Sequence, residues 1–477
     1  AIDKDDVKKE AEGSDLGRVT LVLGAGNQPF LSAVDVIDCL IYKRRPVLIK
    51  HHPLRPYLME LYSMIFEPLI RRGYLRQILD ENIQKTTEIL SNLNVGHVHM
   101  TGSLVTDKAV RETLSKSRPL MSEAKIADMV TSELGCVTPV IMMPAKYTEK
   151  ELRHAVATIL EMKMVNGGCN CLSANALVLS KQWEQKEEFR RLLIHEIKKK
   201  PNYPAYYPGS RQRRCSIKET YECLGSNRVT VAESTESRGC VQNPQDHVVI
   251  CECGTPGETG YENSALKTEA FGPVLAIVEL DSSSDYSKEN KDNNNREDKS
   301  NSIINYAQNV LGPFLNNKNN IYGSLSCALM SPDSVVATDV EAVVASLRYG
   351  TVTVNCGTFM GYIAMTEGCV WGAHCEDYSR QSGNCYIGNP FAVDRVDRTV
   401  VYGPPLAIAP TSADTLPALL IDTLHVMTCA PSKYVAVFRL LQIITVRSFG
   451  ALISLVVSKR TYEGFVSKYG NALIKQT

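Results

Sequence analysis

The sequence lacks an excess of either charge, because its 52 lysines and arginines balance its 52 aspartates and glutamates. No overall electrostatic field therefore attracts nucleic acid, an anionic membrane or a polyanionic substrate. The first residues also lack the pattern of a secretory signal peptide, and the 15 cysteines include no Cys-x-x-Cys pair. These absences predict a reducing intracellular compartment, cytoplasmic or mitochondrial, with no nucleic-acid partner and no metal site.

An uncharged apolar run of membrane-spanning length is also missing. Residues 434–457 are apolar enough to attract notice, but the stretch contains Arg439 and Arg447. Each arginine would cost about 3 kcal/mol at the centre of a bilayer. The segment therefore predicts no transmembrane span but a pair of buried or amphipathic helices, which in the alternative docks on a partner or a membrane surface.

The sequence does contain enough apolar residues, 44% of 477, to form the cores of two or three globular units. The predicted order along the chain begins with a polar tail and ends with a helical extension. Between them we expect a nucleotide-binding domain, a catalytic domain with a disordered polar insertion, and a return segment that serves oligomerisation. The predicted ranges, in that order, are 1–17 (tail), 18–135 (nucleotide-binding), 136–365 with insertion 281–302 (catalytic), 366–406 (return) and 407–477 (extension).

The first domain shows a repeated strand, turn and helix pattern. An apolar strand at 19–23 ends in a glycine turn, a helical pattern covers 31–42, and a second strand follows at 46–50. Further helices are predicted over 56–72 and 80–93, and another strand at 96–100. This order predicts an α/β fold with a Rossmann-like parallel sheet, whose ligands bind at the carboxyl ends of the strands.

The second domain is also predicted to be α/β. A strand pattern begins near residue 137, helices are expected at 149–164 and 184–199, and a strand at 176–179. Between 200 and 268 the pattern weakens, and no element is assigned there.

Five short sequence patches lie along the two predicted domains, and their order and spacing are informative. They are GAGNQPF (24–30), TGS (101–103), SELG (132–135), NGGCNC (166–171) and TEAFGPV (268–274). Lys50 lies 23 positions after Asn27, and Glu269 lies 98 positions after Cys171.

The order and spacing of these patches resemble the aldehyde dehydrogenase superfamily over residues 19–404. The ELGG, GQxC and ExFGPV signatures of that family correspond to ELGC, GCNC and EAFGPV here. The resemblance implies the family fold, with its N-terminal part absent because only eighteen residues precede the first strand. It also implies a homo-oligomer, or a subunit that joins a larger complex through the apolar C-terminal region.

The resemblance implies a catalytic role for three residues. Cys171 is the expected nucleophile that adds to an aldehyde carbonyl, and Asn27 donates its side-chain amide to the resulting oxyanion. Glu133 is the expected general base that activates water for thioester hydrolysis. Cys169, which replaces the motif glutamine, is either a resolving thiol or a packing residue.

The implied cofactor is NAD or NADP. Lys50 is expected at the adenine-side ribose, Gly102 and Ser103 at the pyrophosphate, and Glu269 at the nicotinamide ribose, with Phe271 packing near the ring. Two departures weaken this assignment. Pro53 replaces an acidic residue, which leaves both cofactors open, and Asp107 is expected to repel a phosphate. His51 and His52 are expected to be exposed loop residues without a role.

The leading hypothesis is therefore NAD(P)-dependent oxidation of a small-molecule aldehyde to a carboxylic acid. One alternative is an inactive subunit that keeps the fold as a docking platform. A lesser alternative is an acyl-thioester reductase, which a weakened role of Glu133 would favour.

Overall fold

The computed structural model describes residues 19–79, 82–200, 204–235, 243–282, 302–377, 379–384, 386–391 and 393–406. The predicted tail (1–17), the extension (407–477) and all but the ends of the insertion lie outside these residues. The predictions made for those three segments therefore remain predictions.

The first sheet consists of five parallel strands in the order β3-β2-β1-β4-β5. The predicted strand at 19–23 is its central member, because its apolar run can be buried on both faces. The Rossmann-like parallel sheet expected from the sequence is thus confirmed. The strands are β1 (Val19–Leu23), β2 (Val47–Lys50), β3 (Leu75–Ile78), β4 (Val95–Gly102) and β5 (Val130–Leu134).

Helices connect these strands, and two of the predicted ones differ in extent. The helix expected over 56–72 is broken at Phe66, whose φ and ψ of −103° and 17° are not helical. The helix expected over 80–93 begins only after Asn82, whose side chain accepts a hydrogen bond from the Lys85 amide and caps it. The helices are Leu31–Ile37, continued by the π-helix Asp38–Tyr42, and Leu58–Ile65, Glu67–Arg71, Ile83–Ser91, Leu104–Ser117 and Glu123–Asp128.

The second sheet has eight strands in the order β15-β12-β11-β6-β7-β10-β9-β8. Its strand pairs are parallel except for β8, which runs antiparallel to β9 at one edge. A separate antiparallel pair is formed by β13 and β14. The strands are β6 (Thr138–Met142), β7 (Ala174–Ser180), β8 (Val229–Ala232), β9 (Val248–Gly254), β10 (Val274–Leu280), β11 (Ser326–Met330), β12 (Thr351–Val354), β13 (Val370–Gly372), β14 (Tyr386–Gly388) and β15 (Thr399–Tyr402).

The longest helix of this region coincides with its prediction at 149–164. Its N-terminus carries a capping box, in which Thr148 and Glu151 satisfy each other's backbone amides. The region 200–268, where no element was assigned, contains the helices Ser210–Glu222 and Ser264–Lys267 and the strands β8 and β9. The α-helices here are Glu149–Met164, Lys186–Lys198, Ser210–Glu222, Ser264–Lys267, Gly312–Asn316, Ala337–Ser346 and Phe359–Ala364.

The carboxyl ends of the first sheet face the amino ends of the second. Asn27, which follows β1, donates a hydrogen bond to the carbonyl of Cys169, which precedes β7. Glu133 in β5 lies beside Cys171, in the same segment before β7. The fold therefore brings the ends of two sheets together at one cleft. Within the described part of the chain, no helix combines the length and apolarity needed to cross a bilayer.

Candidate active site

The loop that carries Cys171 turns sharply before β7. Asn166, Gly167 and Gly168 all have positive φ, at 59°, 63° and 75°. A Cβ atom at Gly168 would lie 2.6 Å from the carbonyl oxygen of Gly272, so only glycine fits there. This local geometry places Cys171 just before the amino end of β7, which is an interior strand of the second sheet.

Cys171 and Glu133 form the centre of the site. The Cys171 Sγ lies 3.9 Å from the Glu133 Oε1, within the range of a hydrogen bond from sulfur. Cys171 is half-buried, whereas Glu133 is only 2% exposed. The structure therefore brings the predicted nucleophile and the predicted base together, although 38 residues separate them in sequence.

The surroundings disfavour the thiolate. Burial raises the pKa of Cys171 well above its usual value, and the charges of Glu133 and Glu269 raise it further. The thiol is therefore protonated at neutral pH. It needs a neighbouring base to become a nucleophile.

Glu133 has the properties of such a base. Burial raises its pKa to about 7, while a hydrogen bond from Trp371 opposes the shift. The Trp371 Nε1 donates to the Glu133 Oε1 at 2.9 Å, and this contact spans 238 residues of sequence. Sequence reasoning missed Trp371, because no spacing rule connects a tryptophan near residue 370 to the ELGC patch. A carboxylate poised near neutral pH can accept and return a proton.

Asn27 is held against the nucleophile loop. Its Nδ2 donates to the carbonyl oxygen of Cys169 at 3.2 Å. Its own carbonyl oxygen accepts hydrogen bonds from Arg55 Nη2 and from the Tyr206 hydroxyl, each at 2.8 Å. The predicted oxyanion donor therefore lies beside the segment that presents Cys171, and its backbone is fixed by two side chains that the sequence did not single out.

Cys169 is a packing residue in this arrangement. It is fully buried, and its Sγ lies 3.3 Å from the carbonyl oxygen of Phe271. Burial raises the pKa of its thiol. These properties favour the packing interpretation over the resolving thiol.

Glu269 also reaches the site, but its carboxylate is engaged by the chain. Its Oε1 accepts a hydrogen bond from the Cys136 amide at 3.2 Å. A Cβ atom at Gly135 would meet the Glu269 carboxylate, so glycine leaves room for this side chain in its present position. Burial raises the pKa of Glu269 to about 8.

Lys163 is a buried cation beneath this region that sequence reasoning missed. It is 2% exposed, and its Nζ donates to the Asn175 Oδ1 at 2.8 Å. Burial lowers its pKa to about 7, against the opposing influence of Cys169 and Glu269. Its position in the last turn of a helical pattern gave no signal, because lysines on helices are usually solvated.

Solved structures of other proteins share this architecture. No protein-family model and no curated protein matches the chain by sequence. A solved γ-glutamyl-γ-aminobutyraldehyde dehydrogenase from Burkholderia cenocepacia matches it with a TM-score of 0.55 and 18% identity, over 80% of this chain and 66% of that one. A betaine aldehyde dehydrogenase from Staphylococcus aureus, solved with NAD⁺, matches with the same score and identity, over 78% and 66%. An NADP-dependent enzyme from Escherichia coli gives a TM-score of 0.52 and 19% identity, over 78% and 66%.

The chain has the aldehyde dehydrogenase fold. It spans about two thirds of the length of the neighbours with which it aligns, 66% in each of these three. The fold expected from the order of the five patches is therefore confirmed.

The predicted pyrophosphate site at Gly102 and Ser103 is compatible with a dinucleotide. Gly102 and Ser103 are exposed, at the N-terminus of the 14-residue helix Leu104–Ser117. The Ser103 Oγ caps this helix by accepting from the Thr106 amide at 3.2 Å. The terminus of a helix of this length favours an anion.

The expected repulsion by Asp107 is offset in the structure. Asp107 is buried, and Arg111 pairs with both of its carboxylate oxygens, at 2.8 and 3.2 Å. A guanidinium in this bidentate arrangement compensates the carboxylate charge. Lys50 lies half-buried at the end of β2, in the neighbouring βα unit.

An aromatic ring packs on Phe271, the residue that is predicted to lie near the nicotinamide ring. The Tyr207 ring lies edge-on to Phe271 with centroids 4.8 Å apart, and 5.9 Å from the His52 ring. Phe271 itself has a positive φ of 48°. The residues present thus fit a dinucleotide at its ribose and pyrophosphate end, and Tyr207 packs between His52 and Phe271.

The expectation for the two histidines was wrong. His51 is 1% exposed, and its Nε2 lies 2.8 Å from the Gln77 Oε1. His52 packs over the glycine turn, since a Cβ atom at Gly26 would lie 2.5 Å from its ring. The glycine turn therefore admits a histidine ring of the chain itself.

One group among the described residues has the composition of a metal site, formed by His374, Cys375 and Asp397. The His374 Nδ1 accepts a hydrogen bond from the Glu376 amide, which leaves the proton on Nε2, 3.1 Å from Asp397. A metal ligand at Nε2 would need that proton removed. The chemistry of the group thus disfavours a metal, and the expectation of no metal site stays a prediction.

Proposed function

We propose that the chain oxidises a small-molecule aldehyde to a carboxylic acid, with NAD or NADP as co-substrate. The observation that carries the proposal is the 3.9 Å approach of the Cys171 sulfur to the Glu133 carboxylate, between the ends of two sheets. A soft nucleophile and a carboxylate base at one cleft are the two groups that aldehyde oxidation through a thioester requires.

The first step is activation of the thiol. Glu133, ionised above pH 7, accepts the proton of Cys171, and the thiolate adds to the aldehyde carbonyl to give a thiohemiacetal. Burial and the neighbouring carboxylates raise the pKa of the thiol, so a free thiolate is disfavoured. Proton transfer to Glu133 and attack on the aldehyde are therefore expected in one concerted step. Substrate is thus required before the thiolate forms.

The second requirement is stabilisation of the developing oxyanion. The backbone N–H of Cys171 and the side-chain amide of Asn27 are the proposed donors. Asn27 already lies against the nucleophile loop, and its fixed backbone means that little reorganisation accompanies the appearance of charge.

A bound nicotinamide cofactor would supply hydride acceptance for oxidation of the thiohemiacetal to a thioester. Lys50, Gly102 and Ser103 are the proposed ribose and pyrophosphate ligands, and Glu269 and Phe271 border the nicotinamide end. After Glu133 has released the Cys171 proton to solvent, it accepts a proton from water as the water attacks the thioester, and it returns this proton to the Cys171 sulfur as the acid leaves.

An aldehyde panel tests this proposal. Wild type should reduce NAD or NADP in the presence of an aldehyde, whereas Cys171→Ser should lose at least about 100-fold in rate, since the nucleophile is removed. Cys215→Ser provides a matched control, because Cys215 is half-buried on the helix Ser210–Glu222. Equal rates for wild type and Cys171→Ser would end the catalytic proposal.

A second candidate function is a non-catalytic docking subunit. The position of Tyr207 between His52 and Phe271 favours it, because the aromatic rings fill space at the nicotinamide end. No change in melting temperature at saturating NAD or NADP would support this candidate. The reductase alternative is less favoured, since Glu133 remains beside Cys171.

The setting of the protein is part of the proposal. The described cysteines are all free thiols, which supports a reducing compartment, cytoplasmic or mitochondrial. A homo-oligomer, or a place in a larger complex through the apolar C-terminal region, remains a proposal that light scattering can test.

A further inference from the structure

A row of polar side chains lies on one face of the first sheet beside Glu133. On β4, His97, His99 and Thr101 occupy alternate positions and therefore share a face. On β5, Thr131 is the register partner of His99, and Glu133 is the register partner of Thr101. The candidate base thus belongs to a continuous polar ladder across two strands.

Asp35, from the helix Leu31–Ile37, covers this ladder. It is 1% exposed, and its Oδ1 lies 3.3 Å from the His99 Nε2, an ion-pair contact that falls short of hydrogen-bond alignment. Its Oδ2 accepts a long hydrogen bond of 3.4 Å from the Thr101 hydroxyl. Since Thr101 is the register partner of Glu133, the Asp35 carboxylate lies one strand away from the base.

The two histidines converge on a single hydroxyl. The Thr131 Oγ1 lies 2.9 Å from the His99 Nδ1 and 2.8 Å from the His97 Nε2. The Asp35 carboxylate favours the proton of His99 on Nε2, so Nδ1 accepts from Thr131, and the Thr131 oxygen accepts from His97. One direction of donation therefore accounts for both contacts of the Thr131 hydroxyl and leaves the His99 Nε2 proton facing Asp35.

We propose that this chain of side chains holds Asp35 as a buried negative charge beside Glu133, and that Asp35 thereby sets the pH at which Glu133 acts as a base. The inference rests on the proposed function for its catalytic consequence. Asp35 touches no reacting atom in this account and is a positioning residue.

Asp35 is the charged neighbour that raises the pKa of Glu133. Burial is the largest cause of the raised pKa of Glu133, and Asp35 adds to it. Burial is the main cause that raises the pKa of the thiols, phenols and carboxyl group around Asp35, Glu133 and Cys171, so these groups are neutral at pH 7. They are Cys39, Tyr62, Cys136, Cys171, Glu269 and Tyr362. His99 is a further titratable group beside Asp35, with its Nε2 3.3 Å from the Asp35 Oδ1. Lys43, Arg45 and His99 face His97, whose pKa burial and these groups lower to about 3.

Direct titration of Glu133 tests the inference on the full chain. Infrared difference spectra of the protonated carboxyl, assigned with Glu133→Gln, give the midpoint without any need for activity. In Asp35→Asn, an isosteric change, we expect the midpoint to fall by about 1 pH unit, since a nearby like charge is removed. Thr131→Val should lower it partway, whereas Thr131→Ser, which keeps the hydroxyl, should leave it unchanged.

An unchanged midpoint in folded Asp35→Asn would overturn the inference. If that variant does not fold, equal midpoints in Thr131→Val and Thr131→Ser would overturn it instead. A shifted midpoint in a protein that oxidises no aldehyde would support the inference while the proposed function fails. Activity with an unshifted midpoint would reject the inference alone.

Discussion

At the scale of single residues, the chemistry of the site depends on how Glu133 is buried and contacted. Desolvation favours its neutral form, and the hydrogen bond from Trp371 favours its charged form. Below its pKa of about 7, Glu133 is protonated and cannot accept the proton of Cys171. The rate of aldehyde oxidation should therefore fall as the pH drops through this value.

Trp371→Phe should shift this pH dependence upward. The substitution removes the N–H that stabilises the Glu133 carboxylate, so the pKa of Glu133 rises further and the acid limb of the rate profile moves to higher pH. A shift of about 0.5 to 1 pH unit is expected for one lost hydrogen bond to a charged group.

Trp183→Phe is the matched control, because Trp183 is the other tryptophan of the chain and donates to the Ala145 carbonyl outside the site. It should leave the acid limb in place. An acid limb that moves equally in both variants, or moves downward in Trp371→Phe, would contradict the assigned role of Trp371.

Lys163 should make stability depend on pH. Its pKa is lowered to about 7 in the folded protein, from 10.5 for an ordinary lysine, so unfolding takes up a proton between these values. The free energy of unfolding should therefore rise with pH in this window, by up to about 1.4 kcal/mol per pH unit. Lys163→Met should remove this part of the slope and raise stability most at the low end of the window.

Urea denaturation at pH 7.5, 8.5 and 9.5 measures the effect, as the difference between wild type and Lys163→Met. Lys150→Met serves as control, because Lys150 is exposed on the same helix. A difference that does not change with pH for Lys163→Met would show that the lysine is not neutral in the folded state.

At the scale of elements, the segment before the helix Ser210–Glu222 contacts two residues that are predicted to act in catalysis and cofactor binding. Tyr206 donates to the Asn27 carbonyl, and Tyr207 packs on Phe271. The two tyrosines therefore connect the turn after β1 to the segment before β10.

Tyr207→Ala should increase affinity for NAD or NADP about three- to tenfold. The nicotinamide ring of the bound cofactor would no longer compete with the Tyr207 side chain for space. A gain of this size corresponds to about 1 kcal/mol of binding free energy. Isothermal titration calorimetry measures this directly. Tyr74→Ala, at an exposed position, should have no effect. Weaker binding in Tyr207→Ala would show instead that the tyrosine is part of the cofactor surface.

Which elements could be predicted depended on how their apolar residues are arranged. The run at 19–23 and the helix at 149–164 are strongly patterned, and both are present. The helix Ser210–Glu222 was missed because its buried face includes Arg214, whose guanidinium donates to the His247 carbonyl. Strand β3 was missed because LRQI buries only Leu75 fully.

At the scale of the whole molecule, two sheets meet end to end and assemble one site from distant segments. The order of motifs predicted that Cys171, Glu133 and Asn27 converge, since the resemblance supplied their roles. Trp371 and Asp35 could not be predicted in this way. Their relation to Glu133 exists only after β13 packs near β5 and the first helix covers β4, and no local pattern encodes such contacts.

The most direct test of this account is mass spectrometry of the wild-type protein, quenched with acid during turnover of an aldehyde with NAD or NADP. Because each turnover passes through an acyl thioester, part of the chain should carry it after the quench, and peptide mapping should place it on Cys171. Cys171→Ser should show no adduct. Absence of an adduct on Cys171 under conditions in which wild type turns over, or its location on another cysteine, would contradict the account.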